Sequence, residues 1–262
     1  MKLSRIFSWL IFIAGVLYFL LPLYATLEFS LRTKVPFAAY TNVLSKDPQF
    51  ASSLLYSAIV GIITILVSLV LIVPTAYWVR LRLPRLRPVV EFVTLLPFVI
   101  PPLILVFGLL RAYATGPIAL TGSDLGLNIL LVAAYVVLSF PYMYRAVDSG
   151  LQAINVRVLT EAAQSMGAGW TRILISVIFP NIRVALISGA FLTLAIVIGE
   201  YTISSFLVRP AFAPYLSLLG NTKAFEPAAV TIISFGLTWT AMGMIAVIGR
   251  GSRQSVQVGG AR

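Results

Sequence analysis

The chain has 262 residues, sixty per cent of them hydrophobic and only ten per cent charged, with a formal net charge of +11. So much apolar surface exceeds what a water-soluble core uses, and the absence of cysteine and histidine excludes disulfides, thiol nucleophiles, haem ligation and the usual zinc sites. The basic residues lie in short segments between apolar runs instead of forming one polar domain, so membrane topology explains the charge better than nucleic acid does.

Apolar runs near the ~20 residues that a helix needs to cross a bilayer predict an all-α integral membrane protein with six transmembrane helices. They lie at about 6–27, 54–79, 89–110, 127–144, 184–203 and 228–248. Lys2 and Arg5 precede the first run as they would in a signal peptide, but its apolar core is too long and no clean cleavage site follows, so it is read as a helix. In the third span Pro97, Pro101 and Pro102 free backbone carbonyls that lipid cannot satisfy. Two readings stay open there, a broken helix lining a pathway and a structural kink. Small residues four apart, Ser57 with Gly61 and Gly189 with Thr193, allow close helix packing.

The fifth span ends in Gly199-Glu200-Tyr201-Thr202-Ile203-Ser204-Ser205. An acid at membrane depth faces a cavity or a partner, and the small and polar neighbours suggest a wet lining. Glu200, Tyr201, Ser204, Pro97 and Pro101 are therefore the candidate pathway residues, with an interfacial, solvated Glu200 as the plainer alternative. On the pathway reading Glu200 is an unpaired acid, so Glu200→Gln should leave stability equal or slightly higher. Arg209 is its nearest candidate ion-pair partner in sequence. The segment after 248 is a polar, glycine-rich tail.

Lysine and arginine near span ends are retained in the cytoplasm, and with the N-terminus inside thirteen of the nineteen fall there, among them Lys2, Arg80, Arg87, Arg145, Arg183 and Arg250. Both termini are then cytoplasmic, as is the segment 145–183, while the segment from about 204 to 227 is outside. Glu91 is expected to balance the arginines at 80–87. No loop is long enough to hold a soluble domain, so 1–262 is read as a single membrane domain.

The segment 145–183 carries the sharpest local signals. Asn155 is a good N-cap, 158–166 is a helical run, and Gly167 stands where a left-handed residue ends a helix. A second short helix is predicted from Gly169 or Trp170 to Phe179, with Pro180 turning the chain back to the membrane. Ala162 and Ala163 keep the first helix thin for a close partner, and Glu161 offers one carboxylate to an arginine or to backbone amides.

The spacing Glu161-Ala162-Ala163, Gly167, Val177, Phe179, Pro180 resembles the cytoplasmic loop of permease subunits of binding-protein-dependent ABC importers of the type I kind. The likeness continues upstream through Phe140-Pro141, Arg145, Leu151 and Ile154 and covers about three quarters of the chain. It implies that this chain is half of a transport pathway in a prokaryotic inner membrane. Glu161, Ala162, Ala163, Gly167, Gly169 and Pro180 would form the contact with a cytoplasmic ATPase present in two copies. A second permease subunit, identical or different, and an extracytoplasmic solute-binding protein are also implied. No Gly-x4-Gly-Lys-Ser/Thr stretch occurs, so ATP and magnesium belong to the partner ATPase and this chain is not expected to be an enzyme. The stretch from Gly199 to Tyr215 resembles the polyamine, ferric iron and phosphonate branch, and an acid near the pathway suits a polyamine. An ion-coupled secondary transporter or channel is the alternative, although it would carry more intramembrane charges.

Overall fold

The computed structural model describes residues 2–35 and 37–250, with side chains for 7–35, 37–240 and 243, and every regular element among them is helical. In chain order these are α1 (Lys2–Leu31), α2 (Ala38–Thr41) with a π-helical turn (Asn42–Lys46), α3 (Pro48–Arg82), a 3-10 turn (Pro84–Leu86), α4 (Arg87–Val99) and α5 (Pro102–Ala112). There follow α6 (Asp124–Gln152), α7 (Val156–Ser165), α8 (Trp170–Arg172), a π-helical stretch (Ile173–Ile178), α9 (Phe179–Asn181), α10 (Arg183–Gly199), α11 (Thr202–Phe206), α12 (Phe212–Thr222) and α13 (Glu226–Arg250). The polar tail expected beyond 250 lies outside the described residues.

Among the described residues, Phe7–Leu31, Pro48–Arg82 and Asp124–Gln152 are long and apolar enough to cross a bilayer. Two bent pairs, Pro84–Val99 with Pro102–Ala112 and Trp170–Asn181 with Arg183–Gly199, raise the number to five if each pair is one span. The sixth expected run, 228–248, falls on α13, whose last side chains lie outside the described set. Two boundaries differ from the sequence reading. The helix expected to end at 144 runs on to Gln152, so the loop expected from Arg145 begins at 153. The run expected to reach 203 stops at Gly199, where Glu200 turns extended (φ −77°, ψ 118°).

The third expected span is broken. Ile100 (φ −87°, ψ 114°) and Pro101 (φ −58°, ψ 135°) each precede a proline, whose ring disfavours helical backbone in the residue before it. The helix axes turn by 94° across that two-residue gap. Pro97 lies inside α4 and is buried, without ending it.

Contacts divide the chain into two compact units, residues 1–52 with 215–262 and residues 53–214. In the first, α1 packs on α13, with Phe29 and Phe225 ring centroids 5.1 Å apart, and Asn42 Nδ2 donates to Glu226 Oε1 at 3.1 Å. Large apolar side chains stand exposed all around α1, as on a helix whose solvent is lipid. The Tyr215 hydroxyl donates to Asp47 at 2.9 Å, and burial together with that carboxylate pushes its pKa above the ordinary value.

In the second unit α10 lies against α6 at glycine distance. A Cβ on Gly150 would come within 2.6 Å of Ala185 Cβ, and one on Gly189 within 3.0 Å of both Met143 Sδ and Ala146 Cβ. Gly61 likewise gives room to Leu194 of α10. The small-residue pairs thus sit at helix crossings, where close approach replaces the hydrophobic drive that lipid removes. Two apolar clusters result. One gathers Tyr77, Met143, Leu151, Ala163, Ile178 and Ile182, and the other Val60, Val106, Leu131, Tyr135, Ile203 and Leu207.

Candidate functional site

The loop after α6 folds as its local signals dictate. Asn155 Oδ1 accepts the Val158 amide at 3.2 Å, satisfying one free donor at the start of α7. At the other end Gly167 is left-handed (φ +77°), with Gly167 N donating to Gln164 O at 2.9 Å and Ala168 N to Ala163 O at 3.0 Å. This is the paired-bond helix end that favours glycine because no Cβ meets the carbonyl there. Gly169 by contrast has φ −73° and ψ 165°, backbone that any residue adopts, and nothing crowds its Cβ position. The second short helix forms in pieces from Trp170 to Asn181, interrupted by the π-helical stretch, and Pro180 lies just before an 82° bend into α10.

Ala162 is exposed, but Ala163 is only 3% exposed and packs into the protein's own core, so only one of the two alanines thins the outer face. The Glu161 carboxylate is engaged by Arg157 of the same helix at 2.9 Å, with both side chains more than half exposed. Such a pair contributes at most about 0.5 kcal/mol and exchanges readily for another partner. Val158 and Met166, 56% and 81% exposed, flank Ala162 at intervals of four, giving an apolar stripe beside Glu161. The sequence reading missed this stripe, although its spacing was visible. On the inner face Thr160 donates to Val156 O at 2.7 Å, so the 2.8 Å contact with the buried Tyr77 hydroxyl has Tyr77 as donor. Trp170 lies on Tyr77 and Trp78, with ring centroids 4.8 and 4.5 Å away. The loop is thereby held to the end of α3.

Beside it lies a charged knot that the sequence reading also missed. Asp148, only 8% exposed, receives Arg80 at 3.1 Å, Arg87 at 2.9 Å and Gln152 Nε2 at 2.6 Å. Glu91 pairs with Arg87 at 2.8 Å, so it balances one of the arginines as expected, while the buried acid is Asp148. The nearby cavity, about 390 Å³, is lined by Arg87, Glu91, Tyr144, Arg145, Asp148 and Gln152 among others.

At the opposite end of α10 the structure corrects the reading of Glu200 as an unpaired acid. Its carboxyl oxygens accept Ile203 N at 2.8 and 3.0 Å, Ser204 N at 3.1 Å and the Tyr135 hydroxyl at 3.0 Å. Glu200 therefore supplies acceptors to the free amides at the start of α11, where the main chain has just left α10. Ser204 is fully buried and donates to Glu200 O at 2.8 Å, so it is no part of a wet lining, whereas Tyr201 is 47% exposed. Arg209 pairs with Asp124 at 2.7 Å, not with Glu200. α11 packs on α5, with Phe206 and Phe107 centroids 5.1 Å apart, which joins the break after Glu200 to the helix that follows Pro101. Beyond α11, Val208 is left-handed (φ +54°) and 78% exposed.

Residues 72–251 match the family described as binding-protein-dependent transport system inner membrane component. The molybdenum transport permease ModB of Azotobacter vinelandii is 33% identical over 53% of this chain and 64% of its own length. The spermidine/putrescine transport permease PotB of Escherichia coli is 27% identical over 64% of each chain. A probable molybdenum ABC transporter permease of Haloferax volcanii is 30% identical over 72% of this chain and 69% of its own. The matched region thus spans just under two thirds of the first two relatives. A solved alginate importer chain superposes with TM-score 0.57 at 22% identity over 98% of this chain and 97% of its own, and an amino acid ABC transporter chain with TM-score 0.54 at 19% over 83% and 99%. Both likenesses concern the fold.

Proposed function

The chain belongs to the family of binding-protein-dependent transport system inner membrane components, and from that premise we propose that it is the permease subunit of an ATP-driven importer of a small polar solute. It spans the inner membrane six times with both termini in the cytoplasm, and a second permease subunit completes the pathway. An extracytoplasmic binding protein delivers the solute. Two cytoplasmic ATPase subunits hold ATP and magnesium, and each permease presents its loop to one of them.

The observation that carries the reading is the loop itself. A capped ten-residue helix ends in a left-handed glycine, is fixed from behind by Tyr77 and Trp170, and turns Glu161, Ala162 and an apolar stripe outward. A rigid helix with a small centre, apolar flanks and one exchangeable carboxylate suits insertion into a groove on a partner. The breaks at Pro101 and Glu200 provide turned backbone whose polar groups are partly satisfied from within, the form in which irregular chain is tolerated beside a pathway.

One of the two supports for a polyamine weakens on this geometry, because the acid is occupied by three donor groups, and the likeness of the stretch from Gly199 to Tyr215 is what remains. Relatives named for spermidine/putrescine and for molybdenum make both solute classes worth testing. Gly167→Val places a β-branched residue in left-handed backbone, costing about 1–2 kcal/mol and distorting the helix exit. In a reconstituted complex it should lose ATPase copurification and uptake together. Normal ATPase binding and transport in Gly167→Val would refute the docking role, and uptake driven by an ion gradient without ATP would favour a secondary transporter.

A further inference from the structure

We propose that Asp148 is a positioning residue that ties the start of the broken helix α4 to the docking loop, so that displacement of α7 is passed to α4 and α5. The inference rests on the docking reading above.

One carboxylate, four residues before the end of α6, grips both sides of the α3–α4 connection. Arg80 lies in the last turn of α3 and donates to Oδ1, whereas Arg87 is the first residue of α4 and donates to Oδ2. Between them run only the end of α3, Leu83 and the 3-10 turn, and Pro84 and Pro88 stiffen the connection. Asp148 therefore closes a ring across a turn that is already rigid. Gln152 adds a third donor from the last residue of α6, and only residues 153–155 separate that helix from α7. α7 is in turn bonded through Thr160 to Tyr77, a few residues before Arg80. The docking loop is thus held twice, once to α3 through Tyr77 and once, through Asp148, to the residue that begins α4.

Packing holds α4 along α6, and Asp148 adds a directional link at its first residue. The cavity beside Asp148 opens between Glu91, Thr94 and Leu95 of α4 and Tyr144, Arg145 and Ser149 of α6. Elsewhere the two helices touch through side chains, Phe98 with Tyr142 at 5.4 Å between centroids and Val90 against the cluster around Tyr144, so the ionic contacts act at the one level that the cavity leaves open. Stability does not ask for an acid there, since a well-packed apolar side chain often replaces a buried ion pair at no loss. What the acid adds is a fixed register between three helix ends through directional, charge-assisted bonds. The helix so held is the one that breaks by 94° before α5, whose far part packs on α11.

The test uses the reconstituted importer with its ATPase and binding protein, measuring solute moved per ATP hydrolysed. Asp148→Asn keeps the size but removes the charge that holds two arginines. ATPase copurification should be unchanged and hydrolysis retained, while solute per ATP falls at least about fivefold, the low end of measured couplings between sites. Arg87→Gln removes only the α4 side and leaves Arg80 on Asp148, so it decides the matter if Asp148→Asn does not fold, and it should show the same loss. The double variant should be no worse than either single one. A normal ratio in a folded variant overturns the proposal, as does a proportional fall of transport and hydrolysis, which is what a purely structural role gives. Either result leaves the docking reading standing, because that reading fails on the separate observation that Gly167→Val still binds its ATPase.

Discussion

Two short helices in this protein end in the same way with different residues. α7 is entered through Asn155 and left through Gly167, and α11 is entered through the Glu200 carboxylate and left through Val208. In both exits the left-handed residue donates to the carbonyl three before it, and the next residue donates to the carbonyl five before it, Ala168 to Ala163 and Arg209 to Ser204. One exit uses the residue that enters left-handed backbone freely, and the other a β-branched residue for which that backbone is strained. The hydrogen bonds of a helix end therefore do not by themselves require glycine. Where the surrounding contacts are strong enough, a strained residue is held in place, and the adjoining Leu207, buried in the cluster with Ile203 and Tyr135, is such a contact.

The comparison breaks most visibly at the two acids. Glu200→Ala removes acceptors from Ile203, Ser204 and Tyr135 and should destabilise the protein by about 3 kcal/mol, the sum of a lost cap and a lost charge-assisted bond. Thermal unfolding of the detergent-solubilised protein measures this, with Glu161→Gln expected to change stability by no more than about 0.5 kcal/mol because its pair with Arg157 is exposed. For Glu200→Gln, which keeps one acceptor oxygen, the same bonds predict a smaller loss in place of the equal or slightly higher stability expected of an unpaired acid. An unchanged melting temperature in Glu200→Ala would mean that the cap does not form.

A smaller effect sharpens the contrast between the exits. Val208→Gly relieves the left-handed strain but adds freedom to the unfolded chain, for a net gain of about 1 kcal/mol. The same thermal measurement should show a higher melting temperature. A lower one would mean that the Val208 side chain contributes more through contacts than its backbone costs.

What the sequence made legible follows the range of the interactions. Asn155 and Gly167 act on amides and carbonyls within a few residues, so spacing alone predicted both, whereas the prolines of the third span marked the place and left a break and a kink open, between which the backbone at Ile100 and Pro101 decides for the break. The placement of Ala163 was not predicted, because the face of α7 that turns inward is chosen by Tyr77, 83 residues before Thr160 in the chain. Asp148 escaped notice for a similar reason, since its arginines lie 61 and 68 residues away and looked like ordinary topological charges. Glu200 was misread although two of its partners are near. Glutamate is not a preferred cap, so its bonds to the Ile203 and Ser204 amides carried no signal, and the third donor, Tyr135, lies 65 residues away. Val208 carries no sequence signal for its conformation, because propensity argues against it.

The central claim is that the face of α7 bearing Glu161 and Ala162 is the surface that meets the ATPase. Ser165 is exposed on that helix in a chain with no cysteine, so Ser165→Cys introduces a single thiol. A membrane-impermeant maleimide should label it in inside-out vesicles and not in intact cells, and labelling should be blocked when the ATPase is bound. Labelling from outside intact cells, or equal labelling with and without the ATPase, would contradict the account.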